Sequence, residues 1–289
     1  MQKSSWLNWF IFLLLSFVWG SSFILMKEGL KALNAWQVAS LRILSAGMVL
    51  LPFAVKAWKA IPRSKTPVVL LSGFLGTFFP AYLFCIAETR LDSALAGILN
   101  ALTPLFTLLV GVWVFRSRIT ASKWAGVWIG LAGLVLLILL GQGKVDFAHA
   151  SYAGFILLAT ACYGFNVNMV NQHLKNIGSV DIAALAFTAL ILPAVLTLWA
   201  TGFELRPAAD TGFYMALGAS VLLGVAGTAI SSVLFYVLLK NAGPVLASMV
   251  TYGIPFVALF WGWLAGETIN IWQIACLGMI LAGVYLARK

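Results

Sequence analysis

Residues 76–104 read GTFFPAYLFCIAETRLDSALAGILNALTP, and residues 227–255 read GTAISSVLFYVLLKNAGPVLASMVTYGIP. The two stretches are equally long and begin 151 positions apart. In that register Gly76-Thr77 meets Gly227-Thr228, Leu83-Phe84 meets Leu234-Phe235, Leu95-Ala96 meets Leu246-Ala247, and Pro104 meets Pro255. Farther on Gly111 meets Gly262, and after a one-residue gap Leu131-Ala132-Gly133 meets Leu281-Ala282-Gly283. At a shift of 144, Gly20 meets Gly164, Leu30-Lys31 meets Leu174-Lys175, and Trp19 stands opposite Tyr163. Leu, Ala and Gly coincide by chance in any apolar chain. Prolines matched over so long a span argue against chance.

Composition sets the solvent. Of the 289 residues 62% are hydrophobic and 9% charged, with a mean hydropathy of +1.01. A soluble domain carries about 25% charged residues and could not cover so much apolar surface. Apolar runs separated by charged or Gly/Pro breaks predict ten transmembrane helices, at 6–26, 35–55, 67–88, 93–115, 122–141, 151–172, 180–202, 212–239, 245–265 and 270–287. The first run is too long for a signal-peptide core and lacks a small-x-small cleavage site, so it is expected to stay as a membrane helix. Five helices per half is an odd number. The second half, 145–289, therefore enters the membrane inverted with respect to the first, 1–144, a plan common in secondary transporters.

The net charge of +10 does not point to nucleic acid, because the basic residues sit in short loops where they set topology. With both termini cytoplasmic, twelve Lys and Arg fall inside and five outside, with Arg42 well within the second run. Cys85, Cys162 and Cys276 lie in apolar runs as small hydrophobes, and His149 and His173 lie in loop-like stretches. No metal-ligand spacing and no cofactor motif results.

Several residues are candidates for transport. Pro104 and Pro255 free the carbonyls of Asn100 and Thr251, four residues back. A freed acceptor in mid-membrane needs a partner, which is either a neighbouring helix or a cavity holding water or substrate. Gly97, Asn100, Pro104 and Thr107 share one face of helix 4, and Ser248, Thr251 or Tyr252, and Pro255 share one of helix 9. Such stripes are packing seams or cavity walls. Ser16, Trp19 and Ser22 share a face of helix 1, and Thr160, Tyr163 and Asn166 one of helix 6. Trp19 lies about 20 Å into its helix at 1.5 Å per residue, too deep for an ordinary interface anchor. Asn166 and Asn168 are costly facing lipid, so at least one should face protein or water. Tyr82, Thr103 and Tyr236 complete the candidate lining. Arg42 either snorkels outward or forms a structural or gating bond, with Glu88 one available partner. Glu88 ends helix 3, where it is either a proton-coupling carboxylate or a solvated interfacial one. Gly126, Gly130 and Gly133 pack helix 5 inside the bundle or against a second copy.

Trp19-Gly20-Ser21-Ser22-Phe23, Arg42, the paired Leu-Ala-Gly and mid-helix Pro104 and Pro255 together resemble the EamA type of the drug/metabolite transporter superfamily. The proline that usually precedes the arginine in its Pro-x-n-Arg pattern is missing, and Asn34-Ala35 stand in its place. The resemblance covers essentially the whole chain. It implies a 5+5 fold, a cavity lined by helices 1, 3, 4, 6, 8 and 9, and transport, with export first, of amino acids or similar metabolites. The expected setting is a bacterial inner membrane, with a small-molecule substrate, lipid around the bundle and homodimerisation open.

Enzyme chemistry is disfavoured, since the predicted spans hold no histidine and no carboxylate pair. A lipid or lipid-linked-substrate flippase is the nearest alternative. A receptor or structural membrane protein would need neither the repeat nor polar groups on matched kinks.

Overall fold

The computed structural model describes residues 5–116, 120–140, 147–205 and 210–288. Lys3, Arg118, Lys144, Arg206 and Lys289 of the charge count and the 144–145 boundary lie outside them, as do the side chains of Lys240, Ser248 and Arg288. All regular structure among the described residues is helical. Seven segments are long and apolar enough to span a membrane, and Ala121–Leu137, Val250–Leu264 and Ile271–Leu286 are shorter apolar helices. The protein is therefore an all-helical, multi-pass membrane protein.

Helix α1 spans Ser5–Gly29 and α2 spans Ala35–Ala60. Asn34 caps α2 in a reciprocal pair with Gln37, satisfying two amide donors at the start. α3, Thr66–Gly73, widens into a π turn at Phe74–Phe78 before α4, Phe79–Glu88. Pro80 in the first turn of α4 explains the widening: its ring would press on the carbonyl of Gly76 in a regular helix. A second π turn, Val225–Ile230, joins α11, Thr211–Gly224, to α12, Ser231–Leu264. No proline causes this one. Thr228 and Ser231 instead donate to carbonyls five residues back, Leu223 and Ala226. The two π turns begin 151 positions apart, and each contains the matched Gly-Thr.

The predicted fourth helix divides into α5, Ser93–Asn100, and α6, Thr103–Trp113. The division falls ahead of Pro104, and the freed carbonyl of Asn100 is taken by the Thr103 hydroxyl at 2.7 Å. α7 spans Ala121–Leu140 and α8 spans Phe147–His173. His149 and His173, expected in loops, fall at the two ends of α8, because backbone hydrogen bonding carries a helix past its apolar stretch. The predicted seventh helix breaks at Leu190 into α9, Ser179–Ala189, and α10, Ile191–Ala200. α13 spans Ile271–Arg288.

The loop expected at 240–244 lies inside α12, yet the chain reverses there. Leu238 and Val250 both join Ile11 and Leu15 in one buried cluster. Before the turn, Phe235 packs at a tilt beside Trp19. After it, Trp261 donates to Ser21. The leg before 238 thus runs antiparallel to α1, and the leg after 250 runs parallel to it.

Packing is intimate where small residues meet backbone. A Cβ added to Gly283 would overlap the backbone of Gly126 and Gly130, so the α7 glycine stripe packs inside, against α13. A Cβ on Gly164 of α8 would lie 2.8 Å from the amide of Thr107 and 2.9 Å from the backbone of Phe106. Backbone cannot rotate away. Gly164→Ala is expected to destabilise the folded protein by about 2–3 kcal/mol. Gly154→Ala on the same helix, with nothing within 4 Å, should be near neutral. Thermal unfolding in detergent measures both, and equal midpoints would refute this account of the α6–α8 seam.

Candidate functional site

Four contacts recur under the offsets found in the sequence. Trp19 packs on Phe235, and Tyr163 packs on Phe84. Gly20 abuts Val257, and Gly164 abuts Phe106. Ser22 meets Gly227 in one π turn, and Asn166 meets Gly76 in the other. Arg42 lies against Gly224, and Ala186 lies against Gly73. In each case the first partner shifts by 144 and the second by 151. Residues of α1 and α2 thus meet late segments of the chain in the way residues of α8 and α9 meet early ones.

At one of these meeting points lies a cavity of about 40 Å³, room for a few water molecules or one end of a small metabolite. It is walled by the first π turn and by α8, α9 and α12, with Thr77, Asn166, Ser232, Tyr236, Ala186 and Phe187 in its lining. The side chains of Thr77, Ser232 and Tyr236 line it, and Asn166 Oδ1 is buried without a hydrogen-bond partner. An apolar void would stay empty. This one presents polar groups that water or a ligand would satisfy.

The equivalent point on the other side holds the Arg42 side chain. There the Arg42 guanidinium Nε donates to Thr228 Oγ1 at 2.8 Å, and Nη1 faces Met26 Sδ at 3.9 Å. Ala186, at the position 144 residues on, leaves the corresponding space open. Arg42 therefore makes a structural bond within the second π turn. Among the described residues it forms no ion pair with Glu88, whose carboxyl is buried with both oxygens unpartnered. Neither interfacial solvation nor pairing with Arg42 describes that carboxyl. Placed at the end of its apolar run, the side chain turns into the bundle.

The other candidates divide. Trp19 Nε1 donates to Gly227 O at 3.1 Å, so its indole serves the second π turn. Ser22 donates within α1 to Val18. The Tyr82 hydroxyl bonds Ser40 of α2 at 2.7 Å, with Trp36 and Phe78 around its ring, which places it in a helix seam. Asn100 is buried and its oxygens serve Thr103. Asn168 donates to Thr107 O and Gly164 O, each at 2.8 Å, so it faces protein while Asn166 faces the cavity. Thr251 and Tyr252 lie on the later leg of α12, half-buried, with Pro255 on the same leg.

Two residues went unrecognised in the sequence. Glu267 accepts from Ser93 N at 2.9 Å, Ser93 Oγ at 2.6 Å and Ala94 N at 2.9 Å, capping α5 from across the molecule. Lys27 Nζ donates to the carbonyls of Glu88 at 3.3 Å and Leu91 at 2.8 Å, at the end of α4. A cation at a helix C-terminus and an anion at a helix N-terminus both match the helix dipole. Together they clamp the connection between α4 and α5. Only long-range contact defines these roles, although Thr77 and Thr228 were already visible as the matched Gly-Thr.

A helical membrane bundle with a polar void against broken helices is an architecture that transporters use. The chain belongs to the EamA-like transporter family, which matches it twice, at residues 6–139 and 150–288. It is 26% identical over 274 residues to the uncharacterised inner membrane transporter YedA of Escherichia coli, covering 93% of this chain and 86% of that one. It is 24% identical over 281 residues to a probable amino-acid metabolite efflux pump of E. coli, covering 95% and 83%. A solved crystal structure superposes with a TM-score of 0.64 at 20% identity, covering 98% of this chain and 97% of that chain, which shows the shared fold.

Proposed function

We propose that this protein is a secondary or facilitative carrier of the bacterial inner membrane, exporting small polar or amphipathic metabolites, amino acids first. In this reading it has ten transmembrane helices in two inverted repeats, 1–144 and 145–289, with both termini cytoplasmic. The four recurring contacts and the paired π turns support the repeat. A π turn inside a membrane helix commonly marks a functional position, and here each offers a Gly-Thr to a polar residue of the facing helix.

The observation that carries the reading is the uncharged polar cavity at Thr77, Asn166, Ser232 and Tyr236. Its hydroxyls and amide suit a polar head, while Phe187 and Tyr236 supply apolar walls. About 40 Å³ is less than a whole amino acid needs, so the cavity must widen to load. Rocking of one repeat against the other provides the widening. Trp19, Asn100, Thr251 and Tyr252 flank the path, and Arg42 and the two prolines set the shape of its walls.

The test is flux of a labelled amino-acid panel in proteoliposomes. Saturable flux is expected, and Asn166→Leu should reduce it about tenfold, equivalent to 1.4 kcal/mol, with the protein still folded. Trp19→Phe, which removes the bond to Gly227, should slow flux with less effect on apparent affinity. Unchanged flux in Asn166→Leu would rule this cavity out as the path. Movement of lipid-linked substrates alone would favour a flippase.

A further inference from the structure

Glu88 is 1% exposed and neither carboxyl oxygen has a hydrogen-bond partner. The charged groups nearest to it, Lys27, Glu267 and Arg42, each bond other partners. Lys27 of α1 gives its ammonium to the backbone carbonyls of Glu88 and Leu91. Arg42 of α2 spends Nε on Thr228. Glu267, following α12, spends its carboxylate on Ser93 and Ala94. On its own helix Glu88 has Cys85 nearby, and α8, whose Tyr163 packs on Phe84 of α4, carries no Asp, Glu, Lys or Arg. α5 carries no titratable side chain. A carboxylate left without donors in such a place is unsupported, because desolvation and the negative end of its own helix both oppose the charge.

A second arrangement lies close at hand. Lys27 Nζ already touches the backbone oxygen of Glu88, so a short swing of a flexible side chain would bring it to the carboxyl. If the acid releases its proton to water, the new anion competes for Lys27. The carbonyls of Glu88 and Leu91 then lose their cap, and α1 loosens its hold on the α4–α5 connection. The opposite end of that connection stays held by Glu267. One proton leaves, Lys27 remains charged throughout, and the ion pair formed is overall neutral.

We propose that Glu88 is a proton-binding site whose occupancy sets the clamp between α1 and the α4–α5 connection, coupling proton movement to transport. Its coupling role rests on the carrier reading; the binding of the proton does not.

The test has two arms. Infrared difference spectra of the purified protein should show the carbonyl band of a protonated carboxylic acid at neutral pH. The band should disappear as pH rises and be missing in Glu88→Gln, which mimics the neutral form and keeps the fold. In Lys27→Met, where the anion loses its partner, the band should persist to higher pH. A wild-type band that is absent at neutral pH, never titrates, or survives in Glu88→Gln overturns the site. In proteoliposomes one coupled proton supports up to about tenfold accumulation per pH unit of gradient. The wild type should respond to the gradient, and Glu88→Gln should transport equally with and without it. A gradient response that survives in Glu88→Gln, or is missing from a fluxing wild type, overturns the coupling. If no compound is carried, the transport reading falls while the infrared titration still decides the proton site.

Discussion

Ala186→Arg is expected to block transport almost completely while leaving the protein folded. Ala186 occupies on α9 the position that Arg42 occupies on α2, and both lie against register-matched glycines, Gly73 and Gly224. The acceptor is matched too: Thr228 accepts from Arg42, and Thr77 lines the open cavity. An introduced guanidinium therefore has a site already shaped for it, with further acceptors in Asn166, Ser232 and Tyr236. It would occupy the void of about 40 Å³ and place a fixed positive charge where a substrate head would pass. Flux should fall at least about a hundredfold, or 2.7 kcal/mol. Stability should fall less, by about 2 kcal/mol, since the charge is buried but well supplied with acceptors. Ala186→Leu separates the causes: it removes the space without the charge, and an equal block shows that space is what matters. Flux of Ala186→Arg within threefold of wild type would sink the cavity as the path.

The repeat that makes this prediction possible was legible because its markers are residues with few substitutes. The Gly-Thr pairs sit in the two π turns, where a small residue meets a facing polar side chain. Pro104 announces a freed carbonyl, and the neighbouring Thr103 supplies its donor. Trp19 and Tyr163 stand opposite in sequence, and each packs on a matched phenylalanine. What was not legible depends on distance along the chain. Asp92 stands at the N-cap of α5, yet its side chain does not cap that helix; Glu267, 174 positions from Ser93, does. Glu88 illustrates a second limit. Its position in the helix gives depth along the membrane normal but not whether the carboxyl turns toward water or into the bundle. The loop expected at 240–244 was not found as such, because the helical backbone of α12 continues through it.

Loss of the Glu267 carboxylate should be the most destabilising of the side-chain deletions considered. The residue follows Gly266, whose φ of 81° lies in the left-handed region that glycine adopts without strain. That turn brings Glu267 back beneath the first turn of α5. Its carboxylate then receives two backbone amides and one hydroxyl, at the positive end of the helix dipole. Hydrogen bonds to a charged group contribute about 1.5–3 kcal/mol each, but water reaches this half-buried edge and replaces part of the loss. A net cost of about 3 kcal/mol is expected for Glu267→Ala. Glu267→Gln keeps one acceptor oxygen and loses the charge, so it should cost about half as much. Ser93→Ala removes only the hydroxyl bond, and combined with Glu267→Ala it should add little, because both variants break the same contact. Thermal unfolding in detergent gives these values. A cost below about 0.5 kcal/mol for Glu267→Ala would show that the cap is dispensable. A large cost confined to stability, with substrate affinity unchanged, would identify Glu267 as the fixed end of the α4–α5 clamp and leave Lys27 as the end that moves.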